Sequence, residues 1–198
     1  MPKEWSEWIT SWCACAPQKD LPRVLLVGDS ITQGYQNEVR KLLDGVAYVD
    51  HIATSYAVDS KIYNTLIKNF AADSAYTLIH FNHGLHGIHM SKRTYKSRLK
   101  KLLATLGKIS KIVLATSTVV YQGGNKRLHA QWMKRVKERN MAMSELCVEC
   151  GYGKDDLYAV SLSIAKDCRD EDGTHYVAAG YKTLAAAVAE SIKNALKV

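Results

Sequence analysis

Apolar runs of strand length recur along this chain, and each is followed by a longer stretch whose apolar residues return with the period of a helix. Few architectures accommodate that alternation. Strands that are apolar throughout must be covered on both faces, and crossovers of this length are right-handed, so the pattern predicts an α/β fold, a three-layer α/β/α sandwich on a parallel sheet. We read five strands: Arg23–Val27, Val46–Ile52, Tyr76–Phe81, Lys111–Thr116 and Leu157–Val160. The helices are Gln33–Leu43, Ser60–Phe70, Lys92–Leu106, Leu128–Glu149 and Val177–Leu196. Asp44-Gly45 and Gly151-Tyr152-Gly153 punctuate the pattern, while no repeat, low-complexity tract or linker interrupts it. One domain over residues 1–198 is expected. Residues 1–20 form an N-terminal extension in which Trp5, Trp8 and Trp12, spaced three and four apart, predict a short helix burying its indoles on one side. That stripe would cap the core or make a homo-oligomer contact, and core packing is the preferred reading.

The formal charge of +8 narrows the partners. It comes mainly from Lys92–Lys111 and Lys126–Arg139, where apolar residues at helical spacing (Tyr95, Leu99, Leu102; Leu128, Trp132, Val136) mark the basic faces as solvated outer surfaces of packed helices. No nucleic-acid motif accompanies them, so no nucleic-acid partner is expected. No apolar stretch is long enough to cross a bilayer, and Met1-Pro2-Lys3-Glu4-Trp5 lacks the pattern of a secretory signal, which gives the expectation of a cytoplasmic protein with no membrane partner. The five cysteines are odd in number and read as reduced. Cys13-x-Cys15 with Cys147-x-x-Cys150 has the makings of a zinc site, but the second pair falls in a helical stretch where the spacing suits small core residues.

Chemistry concentrates at two distant places. Gly28-Asp29-Ser30 closes the first strand and opens a helix, and Asp172-Gly173-Thr174-His175 precedes the last helix. A serine hydroxyl attacks a carbonyl at neutral pH only when an imidazole takes its proton, and a carboxylate fixes that imidazole's tautomer. Ser30, His175 and Asp172 fill the three roles. Asp172, three residues before His175, can reach Nδ1 and leave Nε2 to face Ser30. The competing reading of Ser30 is a helix cap, a position serine favours. Asp29 is assigned to the turn through its own backbone hydrogen bonding.

These blocks resemble those of the SGNH, or GDSL, hydrolases. Val27-Gly28-Asp29-Ser30-Ile31-Thr32-Gln33-Gly34 is similar to the family's nucleophile block, and Asp172-Gly173-Thr174-His175-Tyr176 with Ala179-Gly180-Tyr181 to its last block. Between them, Asn82-His83-Gly84-Leu85-His86 resembles a variant of the third block, usually Gly-x-Asn-Asp. The resemblance spans roughly residues 23 to 195. It implies strand order 2-1-3-4-5 and a Ser30-His175-Asp172 triad working through an acyl-enzyme, with no metal and no cofactor. The implied substrate is a small ester, and small O-acyl groups on a carbohydrate are the leading choice.

The resemblance also implies an oxyanion hole, and here the sequence departs from the family pattern. Ser30 N–H is the first donor. The block-two place is held by Thr54-Ser55-Tyr56-Ala57-Val58-Asp59-Ser60, which has no glycine; a main-chain N–H between Ser55 and Ser60, with Asp59 marking the candidate position, takes that role. For the third donor Asn82 and His86 both qualify, and the sequence does not choose between them. His80, His83, His86 and His89 recur every third residue, a spacing that gathers imidazoles on a helix but not across a strand and loop, so no metal site is expected. An alternative from another class is a catalytically weakened module of this fold that binds an acidic glycan or nucleic acid through its basic helices. A thiol- or zinc-dependent enzyme is a third.

Overall fold

The computed structural model describes residues 5–124 and 127–198. Among them a single six-stranded sheet runs in the order β1-β3-β2-β4-β5-β6. The strands are β1 (Ile9–Trp12), β2 (Arg23–Gly28), β3 (Tyr48–Thr54), β4 (Leu78–Asn82), β5 (Lys111–Ala115) and β6 (Gly153–Asp155). All neighbours are parallel except β1, which pairs antiparallel with β3. The five parallel strands therefore have the expected order, and the sixth is an addition at the edge.

Helices α1 (Ser30–Leu42), α2 (Lys61–Asp73), α3 (Lys92–Leu106), α4 (Ala130–Cys150), α5 (Leu157–Ser163) and α6 (Ala178–Leu196) flank the sheet. Every residue of β2 and β4 is buried because helices lie on both sides. One core joins α1, α5 and α6 to the sheet through Tyr35, Val39, Leu157, Leu184 and Val188. The other joins α2, α3 and the second half of α4 through Tyr63, Ile67, Tyr95, Leu99 and Leu146. No helix among the described residues is long and apolar enough to cross a membrane.

Two expectations need correction. Leu157–Val160 is not a strand; it lies in α5, whose first turn is capped by the Asp156 carboxylate accepting from Ala159 N at 3.2 Å. The last parallel strand is the preceding Gly153–Asp155, a segment too polar to announce itself but one that extends the ladder beyond β5. Nor do the N-terminal tryptophans form a helix. Residues 9–12 pair with β3, because the outer edge of that strand offers unpaired N–H and C=O groups that a short isolated helix cannot outcompete. Trp5 and Trp12 are exposed, so the three indoles share no buried face. The part of the extension before Trp5 lies outside the described residues.

Part of the charge on the basic helices is answered within the molecule. Glu145 and Glu149 of α4 form a ladder with Lys92, Lys96 and Lys100 of α3, with Lys96 to Glu145 at 2.7 Å and Lys100 to Glu149 at 2.9 Å. Exposed pairs of this kind add little stability, and they engage three of the α3 lysines.

Candidate active site

Strand β2 ends at Gly28, and its place in the sheet decides what stands beside it. Gly28 is flanked by Ala53 of β3 and by Asn82 of β4, so the carboxyl ends of three adjacent strands, about 4.8 Å apart, converge on the start of α1. A Cβ on Gly28 would fall 1.9 Å from Thr32 Oγ1 and 2.5 Å from the Asn82 carbonyl oxygen, which excludes any larger residue. The cap of α1 is Asp29, whose Oδ1 accepts from Ile31 N at 3.0 Å. The helix-cap reading of Ser30 therefore does not hold: the neighbouring carboxylate takes that job, and the serine hydroxyl is left for another partner.

That partner comes from the opposite end of the chain. Ser30 Oγ lies 2.8 Å from His175 Nε2, and His175 Nδ1 lies 2.5 Å from Asp172 Oδ2. With Nδ1–H donating to the carboxylate, Nε2 is the acceptor for the serine hydroxyl. The second oxygen of Asp172 accepts from the amides of Thr174, at 2.8 Å, and His175, at 2.9 Å. Partial burial pushes the Asp172 carboxyl upward, but the His175 amide, the imidazole and the Thr174 amide outweigh it and hold the pKa below the ordinary value. The aspartate therefore remains an anion as it orients the ring.

The loop bearing this pair is tied down from two sides. Asp170 N donates to the His175 carbonyl at 2.9 Å, and Tyr121 N, from the segment after β5, donates to the Gly173 carbonyl at 2.7 Å. Tyr121 thus supports the loop, whereas Asn125, at the end of the same segment, lies outside the described residues. Helix α6 is drawn against α1 at Gly34, where a Cβ would meet the Tyr181 ring at 2.1 Å. That close approach, one turn beyond Ser30, brings the beginning of α6 and the preceding His175 to the nucleophile.

The other candidate residues fall at different depths. Asn82 ends β4, is buried, and donates from Nδ2 to Tyr35 Oη at 3.4 Å; Tyr35 Oη is in turn 3.0 Å from Thr32 Oγ1. Burial raises the Tyr35 phenol well above its ordinary pKa, so it stays protonated. His86 is half-buried in the following loop, stacked on His83 with ring centroids 5.8 Å apart and edge-on to Trp8 at 6.5 Å. Asp59 is engaged through its side chain, accepting from His89 Nε2 at 2.8 Å.

Of the four regularly spaced histidines only His83 and His86 come together, as a stacked pair. His80 pairs with Asp155 inside the sheet at 2.8 Å, His89 pairs with Asp59, and His83 is enclosed beside Tyr63, where burial pulls its pKa down to about 4. Among the described residues no three His, Cys, Asp or Glu side chains come together as a metal site.

Two supporting residues on α4 were not assigned a role from sequence. Arg139 is fully buried, and its Nη2 donates to the carbonyls of Gly87, at 2.8 Å, and Met90, at 3.1 Å. The guanidinium also lies 4.2 Å from the Tyr95 ring centroid, while Tyr95 Oη donates to the His83 carbonyl at 2.8 Å. Asn140 grips both backbone groups of Ser117, accepting from its N–H at 2.8 Å and donating to its carbonyl at 3.0 Å. The signal was available for one of them: Arg139 stands between Val136 and Met143 at spacings of three and four, a core-facing position held by a charge.

No family model and no curated protein matches the sequence. Solved structures do match, and they define the architecture: the chain has the fold of the SGNH hydrolases. A Slackia heliotrinireducens protein classed provisionally as an SGNH hydrolase is 19% identical, with a TM-score of 0.66 over 87% of this chain and 100% of that one. The acetylxylan esterase Axe2 from Geobacillus stearothermophilus is 16% identical, with a TM-score of 0.71 over 86% of this chain and 94% of its own. A carbohydrate acetylesterase family member from Sinorhizobium meliloti is 15% identical, with a TM-score of 0.71 over 90% and 100%. Matched Axe2 variants described as catalytic mutants include one with a serine and one with a histidine replaced by alanine.

Proposed function

We propose that this chain is a serine esterase that removes small, acetyl-sized O-acyl groups, with a carbohydrate hydroxyl as the leaving alcohol. The observation that carries the reading is the continuous relay from Asp172 through His175 to Ser30, in which both imidazole nitrogens are committed in the sense acyl transfer requires. Ser30 Oγ attacks the ester carbonyl as its proton passes to His175 Nε2. The tetrahedral oxyanion collapses, the C–O bond to the alcohol breaks, and the imidazolium protonates the departing oxygen. Water then enters by the same route: His175 takes one proton, hydroxide adds to the acyl carbon, and Ser30 leaves with that proton as the acid is released.

Donors to the oxyanion are drawn from the strand ends. Ser30 is the first residue of α1, so its N–H has no intrahelical acceptor and adds to the positive end of the helix dipole. Asn82 is the better placed of the two side-chain candidates, because it ends the strand beside Gly28 and its amide is oriented by Tyr35. The similarity to acetylxylan and carbohydrate acetylesterases supports the choice of alcohol.

A fluorophosphonate probe followed by peptide mass spectrometry, paired with p-nitrophenyl acetate turnover, tests the assignment. Labelling at Ser30, and its loss together with turnover in Ser30→Ala, is the expected result. An unlabelled Ser30 in folded protein, or equal turnover by the variant, would overturn it.

A further inference from the structure

The N-terminal segment does more than extend the sheet. Just before β1, Trp8 is fixed on the carboxyl end of β3: its N–H donates to Ser55 Oγ at 2.9 Å, and its carbonyl accepts from Thr54 Oγ1 at 2.6 Å and Ser55 N at 3.3 Å. Ser55 Oγ donates in turn to Glu7 at 2.8 Å. This places Trp8 two strand positions from Gly28, with β3 between them, at the carboxyl end of the sheet that carries Ser30. From the other flank of β2, the loop after β4 brings His86 against it.

The result is a column of rings. Tyr63 packs on His83 at 4.7 Å between centroids, His83 stacks on His86 at 5.8 Å, and His86 meets the Trp8 ring edge-on at 6.5 Å. Its base is buried among the α2 and α3 side chains, while its outer members, His86 and Trp8, are half-buried. His175 arrives with α6 from the face of the sheet opposite the α2 and α3 core that holds Tyr63, while His83 in the column reaches the backbone of Gly28, two residues before Ser30. The Asp59–His89 pair links the loops after β3 and β4, the second of which also carries His86.

We propose that Trp8, with His86, is a sugar-binding subsite that holds a pyranose ring of the alcohol portion of the substrate. A pyranose has apolar C–H faces and a hydroxyl-bearing edge. An indole fixed by its backbone meets the first requirement at low entropic cost, and the imidazole and carboxylate groups meet the second. The inference rests on the esterase reading for the identity of the acyl carrier, but the sugar contact can be measured without turnover.

The experiment is calorimetric and fluorimetric titration of the full chain with xylohexaose and with cellohexaose, neither of which carries an ester. Binding of either, with perturbed indole emission, that weakens about three- to tenfold in Trp8→Ala and less in Trp8→Phe is the expected outcome. Thermal melts of both variants check that β1 stays docked, and Trp8→Phe keeps a ring where the alanine variant loosens the strand. Absence of binding to both oligosaccharides, or equal affinity in all three proteins, would overturn the subsite. The two readings fail separately. If Ser30→Ala retains p-nitrophenyl acetate turnover while Trp8→Ala loses oligosaccharide affinity, the esterase assignment falls and the sugar site stands.

Discussion

Replacing Arg139 with methionine removes a buried cation that holds the loop between β4 and α3 through its carbonyls, while conserving most of the volume it fills. In the native protein the guanidinium is held by neutral acceptors: the carbonyls of Gly87 and Met90 at 2.8 and 3.1 Å, a weaker contact to the Ser91 carbonyl at 3.5 Å, and the face of Tyr95. Burial pulls its pKa below the ordinary value, partly offset by Tyr95. The substitution orphans two well-bonded carbonyls, each costing about 1–3 kcal/mol, and loses a cation–π contact of about 0.5–2 kcal/mol. Against this, the folded state no longer desolvates a cation, a relief of several kcal/mol at most. We expect a net loss of about 2–4 kcal/mol. For a chain of this size that lowers Tm by about 5–15 °C, measurable by calorimetry or circular dichroism. Tyr95→Phe, which frees the His83 carbonyl of the same loop, should combine with Arg139→Met less than additively. An Arg139→Met melt within 2 °C (about 0.5–1 kcal/mol) of the parent would refute the reasoning, because it would mean that desolvation had cancelled the clamp.

Shorter predictions follow from the site. Asp172→Asn should lower kcat on p-nitrophenyl acetate by about 10⁴, since an amide cannot hold the imidazole in the required tautomer; a loss below tenfold would remove Asp172 from the relay. Asn82→Ala should cost about 10²–10³ in kcat with a smaller change in KM, whereas an equal loss in His86→Ala with none in Asn82→Ala would move the donor to the histidine. Acid should destabilise the fold through His83. Its folded pKa of about 4 lies below the unfolded value, so the unfolded chain binds the extra proton. Stability then falls as pH drops from about 6.5 toward 4, by about 2–4 kcal/mol in total, and denaturant melts of His83→Asn should lose that part of the slope. The depressed Asp172 contributes in a lower window, its stabilisation being lost only as pH falls below the ordinary carboxylate value.

The residues that were legible in sequence are those whose chemistry is local. Four of the parallel strands announce themselves as mostly apolar runs because both faces are covered, Ser30 stands out at a strand-to-helix boundary, and Asp172 and His175 stand out as an acid and a base three residues apart in the loop before the last helix. What could not be read depended on partners far away in the chain. Gly153–Asp155 is a strand only because β5 offers it an edge, and residues 9–12 are a strand only because β3 does. The histidine series had a period but no common meeting point: His80 turns inward to Asp155, His89 turns toward Asp59, and only His83 and His86 stack on one another.

The same distinction explains how a departure from the usual block-two sequence can be accommodated. The Thr54–Ser60 segment has no glycine, but its start is held by Trp8 and Glu7 from the N-terminus and its far end by His89 from the loop after β4. A main-chain donor needs a fixed backbone, and glycine is one way to obtain the required conformation; here external hydrogen bonds restrain the segment instead. If that substitution is the reason the extension is present, then Ser55→Ala should act at a distance. It removes the Trp8 N–H acceptor and the donor to Glu7 while leaving every triad atom in place, so kcat on p-nitrophenyl acetate should fall about three- to thirtyfold, the equivalent of losing one or two hydrogen bonds' worth of restraint. The measurement is steady-state turnover beside a thermal melt. An unchanged kcat with a lowered Tm would show that the N-terminal segment stabilises the sheet edge without tuning the donor.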